Sequence, residues 1–123
     1  MKYLGIDYGT KKVGLAISDD TGSVAFPRTV IPNDTYLFEK IEELLENEDI
    51  HQVVIGHSLM LSGKENPLME HIHAFKEVLT HAGFAVHLEP EFWTTAQAKR
   101  NTKDSMADAS AAALILQSFL DKK

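Results

Sequence analysis

With 123 residues, 44% of them hydrophobic, and a formal charge of −6, the chain has the size and apolar share of one ordinary globular domain. It contains no cysteine, which excludes disulfides, thiolate chemistry and cysteine-bound zinc. No apolar run is long enough for a signal peptide or a bilayer span, so the reading is a soluble cytoplasmic protein. The acidic balance argues against a general nucleic-acid coat, which would carry a broad basic surface.

Tyr3 to Asp7 and Val13 to Ser18 are short, partly alternating runs that predict two strands. Asp19-Asp20-Thr21-Gly22 supplies turn chemistry before a third strand, Ser23 to Val30. Pro27 interrupts that strand and cannot donate to a ladder, which places it at a sheet edge. The three strands predict an antiparallel meander. From Asp34 the period changes: Leu37, Ile41, Leu44 and Leu45 recur at helical spacing, predicting a helix over about 34–48. Gln52 to Gly56 is nearly all valine and isoleucine, as in a strand covered on both faces. A second helix is expected over 65–82, with Leu68, Ile72, Phe75 and Leu79 on one stripe and Gly83 at its end. Phe84 to Leu88 predicts a further strand. Thr94 with Gln97 has the spacing of a capping box before a short helix, and Ser105 to Leu120 predicts a long terminal one. Strands alternating with helices in the second half imply parallel crossovers. The expected architecture is α/β, a mixed five-stranded sheet made of the meander plus two parallel strands, with flanking helices.

Three acidic positions stand out from this local structure. Asp7 ends the first strand, and strand ends opening into a crevice are where α/β sheets place ligands. Its alternative role is to hydrogen-bond the Tyr8-Gly9-Thr10 turn. Glu91 falls just past the strand that ends near Leu88, as an exposed loop glutamate or a site residue, and Glu89 competes with it. Asp108 shares a helix face with Ala111, Ala112, Ile115 and Phe119, so the apolar face carries a carboxylate inward. An ionised carboxylate near a core is costly unless it is paired or binds a metal. Asp108 also lies three residues after Ser105, which suits a capping-box-like pair and the helix dipole. If the three converge, they form an oxygen-only site suited to magnesium or manganese, able to hold two ions for phosphodiester hydrolysis.

Lys11 and Lys12 follow Asp7, and Lys99, Arg100 and Lys103 cluster later. Each is either a phosphate contact or a solvated surface charge. The six histidines form no metal site by spacing; His57 reads as a surface residue, with proton transfer as its alternative. Trp93 is expected to pack against the adjoining helix, or else to stack on a base.

The run Gly5-Ile6-Asp7-Tyr8-Gly9-Thr10-Lys11-Lys12-Val13-Gly14-Leu15-Ala16 resembles the opening motif of the YqgF/RuvX family. Val53-Val54-Ile55-Gly56 with Gly63, Glu91-Phe92-Trp93-Thr94-Thr95 with Ala98, and Asp108 with Ala111-Ala112 and Ile115-Leu116-Gln117 are similar to its later motifs. The resemblance runs nearly end to end and implies one ribonuclease H-like domain over 1–123. It also implies a metal-dependent nuclease that resolves Holliday junctions or matures the 5′ end of 16S ribosomal RNA. Asp7, Glu91 and Asp108 would be its catalytic, metal-binding carboxylates, and structured RNA or branched DNA its partner, with a homodimer as a further expectation. This chain departs from the family where Pro90 and Phe92 replace the usual acidic residue and arginine flanking the glutamate, where Ser58 replaces a proline, and where the basic segment is short. Those departures favour a second reading, a non-catalytic nucleic-acid-binding or regulatory relative that keeps the fold. A third, an actin-like ATPase, needs two such domains closing on ATP, and the chain supplies one.

Overall fold

The computed structural model describes residues 1–59, 64, 67–92 and 107–123, with the backbone alone at Leu59, Glu91, Phe92, Ala107 and Asp108. Strands β1 (Tyr3–Tyr8), β2 (Lys12–Ser18) and β3 (Ala25–Pro32) precede helix α1 (Leu37–Asn47). Then come β4 (Gln52–Leu59), α2 (Met69–His81), β5 (Ala85–Phe92) and the terminal helix α3 (Ala107–Lys122). The sheet order is β3-β2-β1-β4-β5. β1, β2 and β3 pair antiparallel, whereas β4 pairs parallel with both β1 and β5. The expected mixed sheet is therefore present, and the strand containing Pro27 is an edge as anticipated. Opposite Leu15 and Ala16 the β3 register jumps from Thr29 to Pro27, so Arg28 is the extra residue of a bulge. The helix expected at Thr94–Gln97 and the Ser105 cap lie outside the described residues, as do Trp93, Lys99, Arg100 and Lys103.

Strand alternation sorts the core into two layers. Leu4, Ile6, Val13, Leu15, Ile17, Val53 and Ile55 face α1 and α2, meeting Leu37, Ile41, Leu45, Met69, Ile72, Phe75 and Leu79. Tyr3, Ala16 and Val54 face the other way, against Ala112, Ile115, Leu116 and Leu120 of α3. Each fully buried aliphatic side chain contributes roughly 1.5–3 kcal/mol.

The helix ends differ from the sequence expectation for identifiable reasons. Before α1, the Asp34 carboxylate accepts from the Tyr36 amide at 2.9 Å and the Asp34 carbonyl from Leu37 at 3.1 Å. Residues 34–36 are thus a turn leading into the helix. α2 begins only after Pro67, which disfavours helical geometry in the residue ahead of it. Both helices close with the same motif. After α2, Phe84 donates to Leu79 and Gly83 to Thr80, with Gly83 at φ 102°. After α1, Ile50 donates to Leu45 and Asp49 to Glu46, but the left-handed residue, at φ 55°, is Asp49. An L side chain there costs about 1 kcal/mol relative to glycine. Asp49→Gly is expected to raise the thermal midpoint by a few degrees, about 4 °C, in differential scanning calorimetry. An unchanged or lower midpoint would remove the argument.

Candidate active site at the carboxyl edge of the sheet

The parallel strands β1, β4 and β5 all end on one edge of the sheet, and Asp7 is the penultimate residue of β1. It is half-buried. By alternation it shares its sheet face with Tyr3 and Gly5, the face that α3 covers. Its cross-strand partner on β2 is Gly14, and on β4 Gly56 follows Ile55, the partner of Ile6. Neither of these two strand neighbours adds a side chain.

Gly5 sets how closely α3 approaches. A Cβ at position 5 would meet the Leu116 Cβ at 2.7 Å and the Ala112 carbonyl oxygen at 3.0 Å. The small residues read from the sequence, Ala111 and Ala112, are indeed buried, as is Ile115. The helix runs against the direction of β1: Ala112 and Leu116 lie over Gly5, and the Phe119 ring is 5.8 Å from that of Tyr3. Asp108 is therefore one turn further toward the edge where Asp7 lies, about 6 Å along the helix from Ala112.

The sequence places Glu91 in a loop, and the structure corrects this. β5 continues to Phe92, and Glu91 pairs in register with Ser58 near the end of β4. Pro90 does not end the strand because β5 is an edge strand, where a missing N–H need not break the ladder. Ser58 is buried, and its amide donates to the Met69 Sδ at 3.3 Å. Glu89, the competitor for the same role, is already engaged. It is 3% exposed, and its Oε2 accepts from the Ser118 hydroxyl at 2.7 Å and the Lys122 ammonium at 2.6 Å. These two donors are four residues apart on α3, so Glu89 ties β5 to the helix and is committed to that task. Lys122→Met leaves the buried carboxylate with Ser118 as its hydrogen-bond donor among the described residues. The expected cost is about 1 kcal/mol, at the low end because the lysine is mostly exposed. A urea midpoint equal to that of the parent would show that the pair contributes nothing.

Among the described residues no three His, Asp or Glu side chains converge as a metal site. The side chains of Glu91 and Asp108 are not among them. Lys11 and Lys12 are exposed at the β1–β2 turn, beside Asp7. His57 belongs to the opposite face, with its ring 6.5 Å from that of His73 on α2, so it is not beside Asp7.

Asn33, which the sequence reading passes over, and Gln117, named there only within a motif, build the surroundings. Asn33, just after β3, donates from Nδ2 to the Gly9 carbonyl at 2.7 Å and from its backbone amide to the Lys11 carbonyl at 2.9 Å. It pins the turn after Asp7. Gly9 is required there, since a Cβ would lie 2.5 Å from the Lys12 carbonyl oxygen. Gln117 docks α3 on the start of β3, accepting from the Ala25 amide and donating to the Ser23 carbonyl, each at 2.9 Å. An asparagine after a strand is a turn signal, but its target carbonyls lie more than twenty residues away in sequence.

Residues 1–122 match the family model described as "RuvX: Holliday junction resolvase". A protein of Sulfurihydrogenibium sp. (strain YO3AOP1) named "Putative pre-16S rRNA nuclease" is 34% identical, over 98% of this chain and 90% of its own. One of the same name from Nitratidesulfovibrio vulgaris is 36% identical over 98% and 94%. Among solved structures, Thermus thermophilus RuvC in complex with a Holliday junction substrate superposes with a TM-score of 0.63 at 16% identity, covering 99% of this chain and 95% of that one. The Fowlpox virus resolvase bound to Holliday junction DNA gives 0.57 at 14% identity, over 99% and 98%. At those identities the likeness is one of fold, the mixed sheet and helices of ribonuclease H-like proteins.

Proposed function

Because the chain belongs to the RuvX family, we propose that it is a nuclease hydrolysing phosphodiester bonds of structured nucleic acid, in 5′-end processing of pre-16S ribosomal RNA or in resolving four-way DNA junctions. The observation that carries this reading is the placement of positions 7, 91 and 108. Two lie at the carboxyl ends of parallel strands, and the third lies in the first turn of the helix packed over them.

In this reading Asp7, Glu91 and Asp108 are the catalytic carboxylates and the oxygen donors for magnesium or manganese, with two ions as the number that phosphodiester chemistry favours. The donor chemistry fits: the set is all oxygen, in a chain without cysteine, and the residue opposite Asp7 on β2 is a glycine, which adds no side chain to the space an ion would take. Bound there, the ions supply water activation and charge stabilisation on the leaving oxygen. The protein's part is to hold three anionic side chains together against their mutual repulsion, through α3 docked by Gly5, Glu89 and Gln117. Lys11 and Lys12 contact flanking phosphates, and Lys99, Arg100 and Lys103 extend that contact. Symmetric cutting of a four-way junction takes two active sites, so on that substrate the chain would act as a homodimer. No helix among the described residues is long and apolar enough to cross a membrane. The proposed substrates place the chain in the cytoplasm.

The test is incubation of the purified protein with a 16S-precursor RNA and a four-way DNA junction, with manganese and with excess EDTA. Cleavage of one substrate that EDTA abolishes is expected. Intact substrates under both conditions would leave the alternative, a binding relative that retains the fold.

A further inference from the structure

A cavity of about 210 Å³ opens on the opposite side of the sheet from Asp7, lined by Tyr8, Thr10, Asn33, Leu68 and His71. It lies at the same carboxyl edge, because Tyr8 follows Asp7 directly and alternation turns the two side chains to opposite faces. We propose that this cavity seats one unpaired nucleobase from a nucleotide adjoining the phosphate at Asp7. The proposal rests on the nuclease reading above for the position of that phosphate.

Size and lining both favour a base. The volume is below the roughly 300 Å³ where pockets for drug-sized ligands begin, so it suits a single small heterocycle. The described lining consists of an aromatic ring, a leucine and three uncharged or imidazole polar groups, which suits a base. The Tyr8 ring is held 5.5 Å from that of Phe75, and with Leu68 it offers an apolar wall for a planar ring. The polar groups are placed at the rim. Asn33 has a fixed orientation, since its Nδ2 donates one hydrogen to the Gly9 carbonyl. That leaves Oδ1 as an acceptor, matched to an amino or imino N–H on a base edge. The Thr10 hydroxyl and the His71 imidazole add groups that either donate or accept. Bases are read this way only when unstacked, as in single-stranded ends, loops and bulges. The turn that Asn33 pins therefore serves both sides of the sheet, placing Lys11 and Lys12 beside Asp7 and Thr10 at the cavity.

Nuclear magnetic resonance titration of the full chain, without metal, tests this apart from cleavage. The probes are a short RNA hairpin with a single-stranded 5′ extension and the same hairpin with abasic sugars in the extension. Shifts at the Thr10 amide, the Asn33 side-chain amide and His71 are expected with the first probe and lost with the second. His71→Ala should weaken binding of the intact probe about 10-fold, the scale of losing one hydrogen bond whose partner is left unpaired. It should leave binding of the abasic probe unchanged. Shifts confined to Asp7, Lys11 and Lys12 with both probes would overturn the base site and leave the nuclease reading standing. Shifts at the cavity in a protein that cleaves neither substrate would support the base site and remove the nuclease. No shift anywhere would overturn the base site.

Discussion

Asp7→Asn is expected to reduce manganese-dependent cleavage by about 10³-fold, the scale of losing one electrostatic contact to a charged transition state. The substitution is nearly isosteric and removes only a charge, so the fold should survive it. Stability measurements give an independent signature. Under the proposed function Asp7, Glu91 and Asp108 would repel one another when no cation is bound, so removing one should stabilise the metal-free protein, by about 1 kcal/mol. The parent should gain stability as manganese is added, because a ligand that binds only the native state shifts the equilibrium toward it. Asp7→Asn should lose most of that gain. Thermal melts with and without manganese distinguish this from a turn-capping role for Asp7. In that role the variant would be less stable in both conditions and equally responsive to metal.

Gly5→Val carries the largest expected cost to the fold, about 2–3 kcal/mol. A Cβ at this position would meet the Ala112 carbonyl oxygen at 3.0 Å and the first side-chain carbon of Leu116 at 2.7 Å. Neither can rotate away, so the whole of α3 must move. A loss of this size lowers the thermal midpoint by roughly 8–12 °C for a chain of this length. Because α3 begins at Ala107 and carries Asp108, cleavage should fall by more than the unfolded fraction explains, measured well below the midpoint. Full activity in a destabilised Gly5→Val protein would show that the helix position is not what assembles the site.

The departures that distinguish this chain now have a partial physical account. Pro90 costs little where it stands, since β5 has β4 as its only neighbour in the described sheet. Ser58 is a buried strand residue in register with Glu91, where the serine keeps the backbone N–H that a proline would lack. That N–H is used, in the contact to Met69. These two changes therefore leave the edge of the sheet intact. Under the proposed function, Phe92 where the family resemblance leads one to expect an arginine would leave one cation fewer for substrate contact.

Among the described elements, sequence alone determined the class of each and which face the main helices and strands bury. The four-residue spacing of Leu37, Ile41 and Leu45, the unbroken apolar run at Val53 to Ile55 and the small face of the last helix all matched the core that formed. Pro27 announced an edge strand, and Asp7 announced a strand end. These are local statements, because helical and strand periods are written into neighbouring residues. Tertiary structure alone decided the strand order, the extension of β4 and β5 toward the site, and which of Glu89 and Glu91 is committed to holding α3. Glu89 and Glu91 are equally acidic and two residues apart, so nothing local separates them; Ser118 and Lys122, about thirty residues on, do. The same holds for Asn33 reaching back to Gly9 and for Gln117 reaching back to β3. A hydrogen bond between distant segments has no period to betray it, and it exists only once the sheet and α3 have packed.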